Sequence, residues 1–182
     1  MNKLFIACFI FAAACKKGEV YRFSDADMNY TNYGAGQELV IRDTSGAVHD
    51  LVQQEFRWNL ELSKSYMGTD PGNWFDHYRV SYQYGLFASP NYFSQEIYRT
   101  EKASTLEIFL DRYQVISHSA DTLTPRFQQL NINGTVHSNV FVLRAQKAFS
   151  QDPNDTAQIY HNRRLGFLQM VFPNGKTISR IL

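Results

Sequence analysis

Apolar and polar residues alternate along most of the chain. The clearest run is Phe56-Arg57-Trp58-Asn59-Leu60-Glu61-Leu62-Ser63, which places Phe56, Trp58, Leu60 and Leu62 on one face of a strand. Tyr78-Arg79-Val80-Ser81-Tyr82-Gln83-Tyr84 repeats the pattern, as does Leu106-Glu107-Ile108 through Leu110. Leu39 and Ile41 start another strand, with Thr44-Ser45-Gly46 as the turn after it. Asn133-Gly134 and Asn174-Gly175 each separate two such runs, and Asn-Gly accepts the positive φ angles of a tight hairpin turn. No stretch of about fifteen residues carries a 3.6-residue period, and 47–55 lean to strand. These signals predict an all-β fold: a single antiparallel β-sandwich, or a curved or closed sheet, of about eight to ten strands joined by hairpins. One face should bury the apolar residues and the other meet water. Breaks are expected at Gly68–Asn73, Ser119–Pro125 and Ser150–Thr156.

The N-terminus follows another rule. Lys3 precedes an unbroken apolar or small run, Leu4 to Ala14, and polar residues begin at Lys16. As a helix at about 1.5 Å per residue, that run falls far short of the roughly 30 Å hydrocarbon core, but it suits the apolar region of a signal peptide. Its end, Ala12-Ala13-Ala14-Cys15-Lys16-Lys17, resembles a bacterial lipoprotein signal, in which small residues precede an invariant Cys. Ala12 stands where Leu is commonest. The resemblance implies cleavage before Cys15, a lipid on its thiol and an acylated new N-terminus. An ordinary secretory cleavage after Ala12-Ala13-Ala14 is the competing reading. The expected organisation is a signal peptide over 1–14, a lipidated N-terminus and linker over 15–30, and one β domain over 31–182. Lys16-Lys17 is not the acidic pair tied to inner-membrane retention or surface export, so the resemblance points to an outer membrane, facing the periplasm.

Charge and cysteine content sharpen this picture. The 182 residues carry 18 Lys and Arg against 17 Asp and Glu, which lacks the basic excess of a nucleic-acid binder. Removing residues 1–14 takes Lys3 away and leaves 17 of each sign. Attachment to a bilayer would then rest on acyl chains, at about 0.8 kcal/mol per buried methylene, and on more than one of them. The same cleavage leaves Cys15 as the one thiol, so a disulfide, a Cys-based metal site and a cysteine nucleophile are not expected. A lone thiol in an oxidising compartment is a liability that a thioether-linked lipid removes. Tyr33-Gly34-Ala35-Gly36-Gln37-Glu38-Leu39-Val40-Ile41, Tyr160-His161-Asn162, Gly166-Phe167 and the last hairpin also resemble small β lipoproteins common in Bacteroidetes. That likeness implies a fold and an address, and no activity.

Candidate chemistry is sparse. Asp25-Ala26-Asp27-Met28-Asn29 opens like a calcium loop, but Tyr30 and Gly36 stand where such a loop needs Gly and Glu. The five His residues form no metal-binding pair, Asp76-His77 reads as an exposed polar pair, and Arg163-Arg164 as charge on a strand edge. No nucleophile or phosphate-loop motif is present. The one concentration is aromatic: Trp74, Tyr78, Tyr82 and Tyr84 are candidates for a platform binding a sugar ring or apolar ligand, while the structural reading makes them wall residues of a sheet. The sequence predicts a membrane-anchored envelope lipoprotein without catalytic residues, cofactor or metal, whose β domain binds a ligand or a protein partner. The alternative is an envelope glycan hydrolase using a carboxylate pair. A pocket lined by the aromatics favours a ligand, facing carboxylates favour hydrolysis, and a packed interior with an apolar outer patch favours a protein partner.

Overall fold

The computed structural model of the chain describes residues 18–28, 30–62, 72–84, 92–117 and 123–182. Among these residues twelve strands lie in one sheet: β1 (Val20–Tyr21), β2 (Leu39–Asp43), β3 (Val48–Leu62), β4 (Trp74–Tyr84), β5 (Tyr92–Arg99), β6 (Ser104–Leu110), β7 (Tyr113–Ser117), β8 (Phe127–Ile132), β9 (Thr135–Lys147), β10 (Thr156–Asn162), β11 (Gly166–Val171) and β12 (Thr177–Ile181). A one-turn helix, α1 (Asp25–Met28), follows β1, and a 3-10 turn over Pro153–Asp155 precedes β10. Ten of the strands close into an antiparallel barrel, in the order β4-β3-β2-β12-β11-β10-β9-β7-β6-β5 and back to β4. The closed form of the predicted sheet is the one adopted. Closure leaves most strands no free edge, which a long antiparallel sheet otherwise has to protect.

The barrel wall is uneven in height. β4 pairs over its full length with β3, from Leu51 opposite Tyr84 to Leu62 opposite Trp74, with a bulge at Gln54. β2 meets β3 only through residues 48–51, and β12 meets β2 over four pairs. β7 joins β9 through Tyr113 and Gln114 alone. The upper part of β3, from Val52 to Leu62, therefore has no strand neighbour on its β2 side among the described residues. β8 folds back on the start of β9 and covers a small outer cluster of Ile132, Val140 and Leu168.

The N-terminal segment fills the interior. Residues 15–30 were expected as linker, but from Val20 onward the segment is part of the domain. β1 pairs in parallel with β4 at Trp74 and Phe75, Tyr21 stacks on Phe75, and the chain then turns inward. α1 starts in a reciprocal cap. Ser24 N–H and Oγ donate to Asp27 Oδ2 at 2.7 and 2.8 Å, and Asp27 N–H donates back to Ser24 Oγ at 3.3 Å. Tyr30 and Tyr33 follow, fully buried among Tyr78, Tyr82, Phe93, Phe141 and Phe167. The segment is a plug. It lacks any apolar period because it packs as irregular chain, held by individual side chains.

Turn chemistry matches the sequence with one difference. Asn133 and Gly134 both take positive φ, the mirror-image hairpin turn that Asn-Gly favours. At the last hairpin only Gly175 does: Pro173-Asn174 form an ordinary turn, closed by Gly175 N–H on Phe172 O at 2.9 Å. Pro173 fixes the first turn residue at negative φ, which excludes the mirror form there.

Candidate functional site

The predicted platform divides. Tyr78, Val80 and Tyr82 share the inward face of β4 and are fully buried. Tyr78 Oη accepts Tyr33 N–H at 3.1 Å and donates to Tyr33 O at 2.9 Å, so a phenol replaces a neighbouring strand for one plug residue. Tyr82 and Phe93 meet the Tyr33 ring at centroid distances of 5.8 and 5.5 Å. The Arg180 guanidinium lies over that ring, 5.3 Å from its centre, and donates to Leu165 O. Tyr33 Oη in turn accepts Phe167 N–H at 2.8 Å. These rings bind the chain's own N-terminal segment. Trp74 is separate from them, 40% exposed at the barrel rim. The side chain of Tyr84 and all of Cys15 lie outside the described residues.

Deeper in the interior sits a polar set. Gln95 donates through its amide nitrogen to Tyr30 O, which turns Gln95 Oε1 toward His161 Nε2 at 3.1 Å. His161 must donate there, so Nε2 carries a proton. Complete burial, together with the Arg180 charge, holds its pKa down at about 3. Its Nδ1 and the Oδ1 of buried Asp27 have no hydrogen-bond partner among the described residues.

On the outer wall, charges alternate across β3, β4 and β5. Arg79 lies between Glu55, at 3.1 Å, and Glu96, at 3.5 Å, and Arg57 lies 3.0 Å from Glu55. His77 stands between two carboxylates. Its Nε2 is 2.8 Å from Glu96 Oε1, and its Nδ1 is 2.7 Å from Glu61 Oε1, off the line of a straight hydrogen bond. The Glu96 contact, outweighing desolvation, raises the His77 pKa, and His77 in turn lowers both Glu61 and Glu96. Glu61 and Glu96 are thus the carboxylate pair nearest to the hydrolase alternative, with a cavity of about 280 Å³ beside them. A glycosidase acid must hold a proton near neutrality, which requires a raised pKa; both of these are lowered. Asp76 and His77, expected as an exposed pair, are both buried, on opposite faces. Asp76 accepts Phe23 N–H at 2.8 Å and Arg22 Nη1 at 2.9 Å and so fastens the plug. Arg163, expected on a strand edge, lies in the β10–β11 turn, 4.9 Å over the Phe141 ring, and donates to Leu123 O at 2.8 Å.

Sequence reasoning did not single out two further features. The first is a cleft of about 830 Å³ at the turn end of the barrel, lined by Asp43, Asp111, Arg112, Lys147 and Lys176 among others. Asp111 and Arg112 both take positive φ there, a conformation that Asp adopts more readily than most residues and that nothing in the Arg side chain signals. The second is the open upper length of β3. Phe56, Trp58 and Leu62 do share a face, as their alternation predicts, yet they are 37, 47 and 39% exposed. Phe56 and Trp58 each touch Tyr78 edge-on at 6.0 Å, and their other sides are uncovered. Among the described residues no group of three or more His, Cys, Asp or Glu could hold a metal ion, and no helix is long and apolar enough to cross a membrane. No family model, no curated protein and no solved structure matches this chain.

Proposed function

We propose that this chain is a lipid-anchored, non-enzymatic protein of a bacterial cell envelope, held at the periplasmic face of an outer membrane, whose barrel binds a protein partner along the open edge of β3. Its sequence supports the address: an apolar leader, small residues before Cys15, and no other thiol beyond the leader. A plugged interior argues against a small ligand at Tyr78 and Tyr82. One observation carries the partner reading. From Val52 to Leu62 the backbone is unpaired on one side among the described residues, while Phe56 and Trp58 stand exposed beside it. A long edge of that kind is a template for one more strand. The fitting occupant is an extended protein segment with apolar residues at alternate positions. Its intervening residues would carry polar groups of both signs, to meet Glu55 and Arg57 on the outer face.

A photo-crosslinking residue placed in living cells tests this. At position 54 or 57 it should give one discrete product, absent when the same residue replaces exposed Val136 on β9. The product should disappear in Phe56→Lys at a temperature where that variant is still folded. Equal products from edge and wall, or none from the edge, would reject the partner reading.

A further inference from the structure

The tether and the rim of the barrel meet at one place. β1 begins at Val20, and Trp74 N–H donates to Glu19 O at 2.8 Å. Val20 is the register partner of Trp74, and Trp74 that of Leu62. Directly paired residues share a face, so Val20, Trp74 and Leu62 stand abreast across β1, β4 and β3. They are 52, 40 and 39% exposed. β5 pairs with β4 only as far as His77; beyond it the β5–β6 turn reaches the rim, where Asn73 Nδ2 donates to Glu101 Oε1 at 2.8 Å, beside the row. Three apolar side chains in a row at the end of a sheet, each left partly exposed at the barrel mouth, is an arrangement a free-standing domain gains nothing from.

We propose that this row is a bilayer contact, with Trp74 at the boundary between headgroups and acyl chains. The inference rests on lipidation of Cys15 and deepens that reading. Only Lys16 and Lys17 separate Cys15 from Gly18, where the described chain starts. An extended chain covers at most about 3.3–3.6 Å per residue, so Gly18 lies no more than ~10 Å from a lipidated Cys15. The headgroup layer is itself about 5–8 Å deep on each side of the hydrocarbon core. A tether this short holds the β1 end of the barrel at the surface, and β1 delivers the apolar row. Trp suits that level because its ring is apolar while its indole N–H remains able to meet water. The barrel then stands on its β3–β4 rim, with the open edge of β3 rising away from the membrane.

The chain's two tryptophans report on this contact. Trp58 lies on the same face as Leu62 but four residues back, about 13 Å along the strand, above the headgroups. The protein is taken as the cell processes it and its intact mass is measured. It is then placed in vesicles of phosphatidylethanolamine and phosphatidylglycerol whose acyl chains carry bromine. Trp58→Phe leaves Trp74 as the sole reporter, and Trp74→Phe leaves Trp58. Trp74 should emit to the blue of a solvent-exposed indole and lose most of its intensity to bromine, and Trp58 should lose a clearly smaller fraction. Equal quenching of the two, or an unquenched Trp74 on protein that floats with the vesicles, overturns the contact. A blue shift without bromine quenching would mean that a second copy covers the row, which overturns it as well. Should the mass show a free thiol at Cys15, the lipidation reading fails by itself. The same protein is then coupled through that thiol to a maleimide lipid, and the quenching decides the contact unchanged.

Discussion

His161 shows how one buried side chain sets the acid sensitivity of the barrel. Its position on β10 faces Tyr30 of the plug, Gln95 of β5 and the charge of Arg180, and no carboxylate is among these contacts. The folded protein holds the imidazole neutral down to about pH 3, whereas an unfolded chain takes up the proton near 6.5. Between those values the unfolded state binds more protons, so stability falls as pH falls, by up to about 1.4 kcal/mol per pH unit. His77 acts in the opposite sense. Its pKa is raised, so its contribution is complete below about 6.5 and is lost as pH rises through the folded value. His161→Gln should therefore lower the urea midpoint at pH 8 and lose less than the parent between pH 8 and pH 5. An unaltered pH slope in the variant would place the sensitivity elsewhere. The sequence shows five His residues and gives no sign that His161 is buried, because its burial depends on a plug that has no periodicity.

Among the elements, alternation reveals which residues share a face and not whether anything covers that face. β4 and β6 have covered faces, so Tyr78, Tyr82, Leu106 and Ile108 are core. Phe56, Trp58 and Leu62 obey the same alternation and stay exposed, because β2 ends before reaching them. The plug was less legible still. Ser24 and Asp27 carry the spacing of a helix cap, but nothing local marks Tyr30 and Tyr33 as interior residues, since what buries them is the barrel closing around them. The Tyr78 hydroxyl is one of the side chains that hold this docking, and it meets both backbone groups of Tyr33. Tyr78→Phe strands the N–H and C=O of Tyr33 in an apolar interior, at about 1–3 kcal/mol for each group left unpaired. The variant should unfold at lower denaturant and show faster amide exchange over 30–37 than over β9 and β10. A ligand platform would instead lose binding while keeping its stability.

At the scale of the whole molecule, anchoring and folding are separable. Full burial of one Val, Leu or aromatic side chain is worth about 1.5–3 kcal/mol. Val20, Trp74 and Leu62 are already partly covered, so their insertion yields a few kcal/mol at most, which is reversible contact. Acyl chains at about 0.8 kcal/mol per methylene, and more than one of them, supply the rest. The rim therefore orients a barrel that the lipid retains. Cys15→Ser should melt like the parent, because every contact of the barrel and plug set out above lies at or beyond Gly18. It should also move from the membrane pellet to the soluble fraction. Trp74→Ser should do the reverse, staying in the pellet while its remaining indole loses any fixed depth. If Cys15→Ser still sediments with membranes, and does so after a high-salt wash, the protein is held by something other than acyl chains, and the orientation derived from a short tether falls with it.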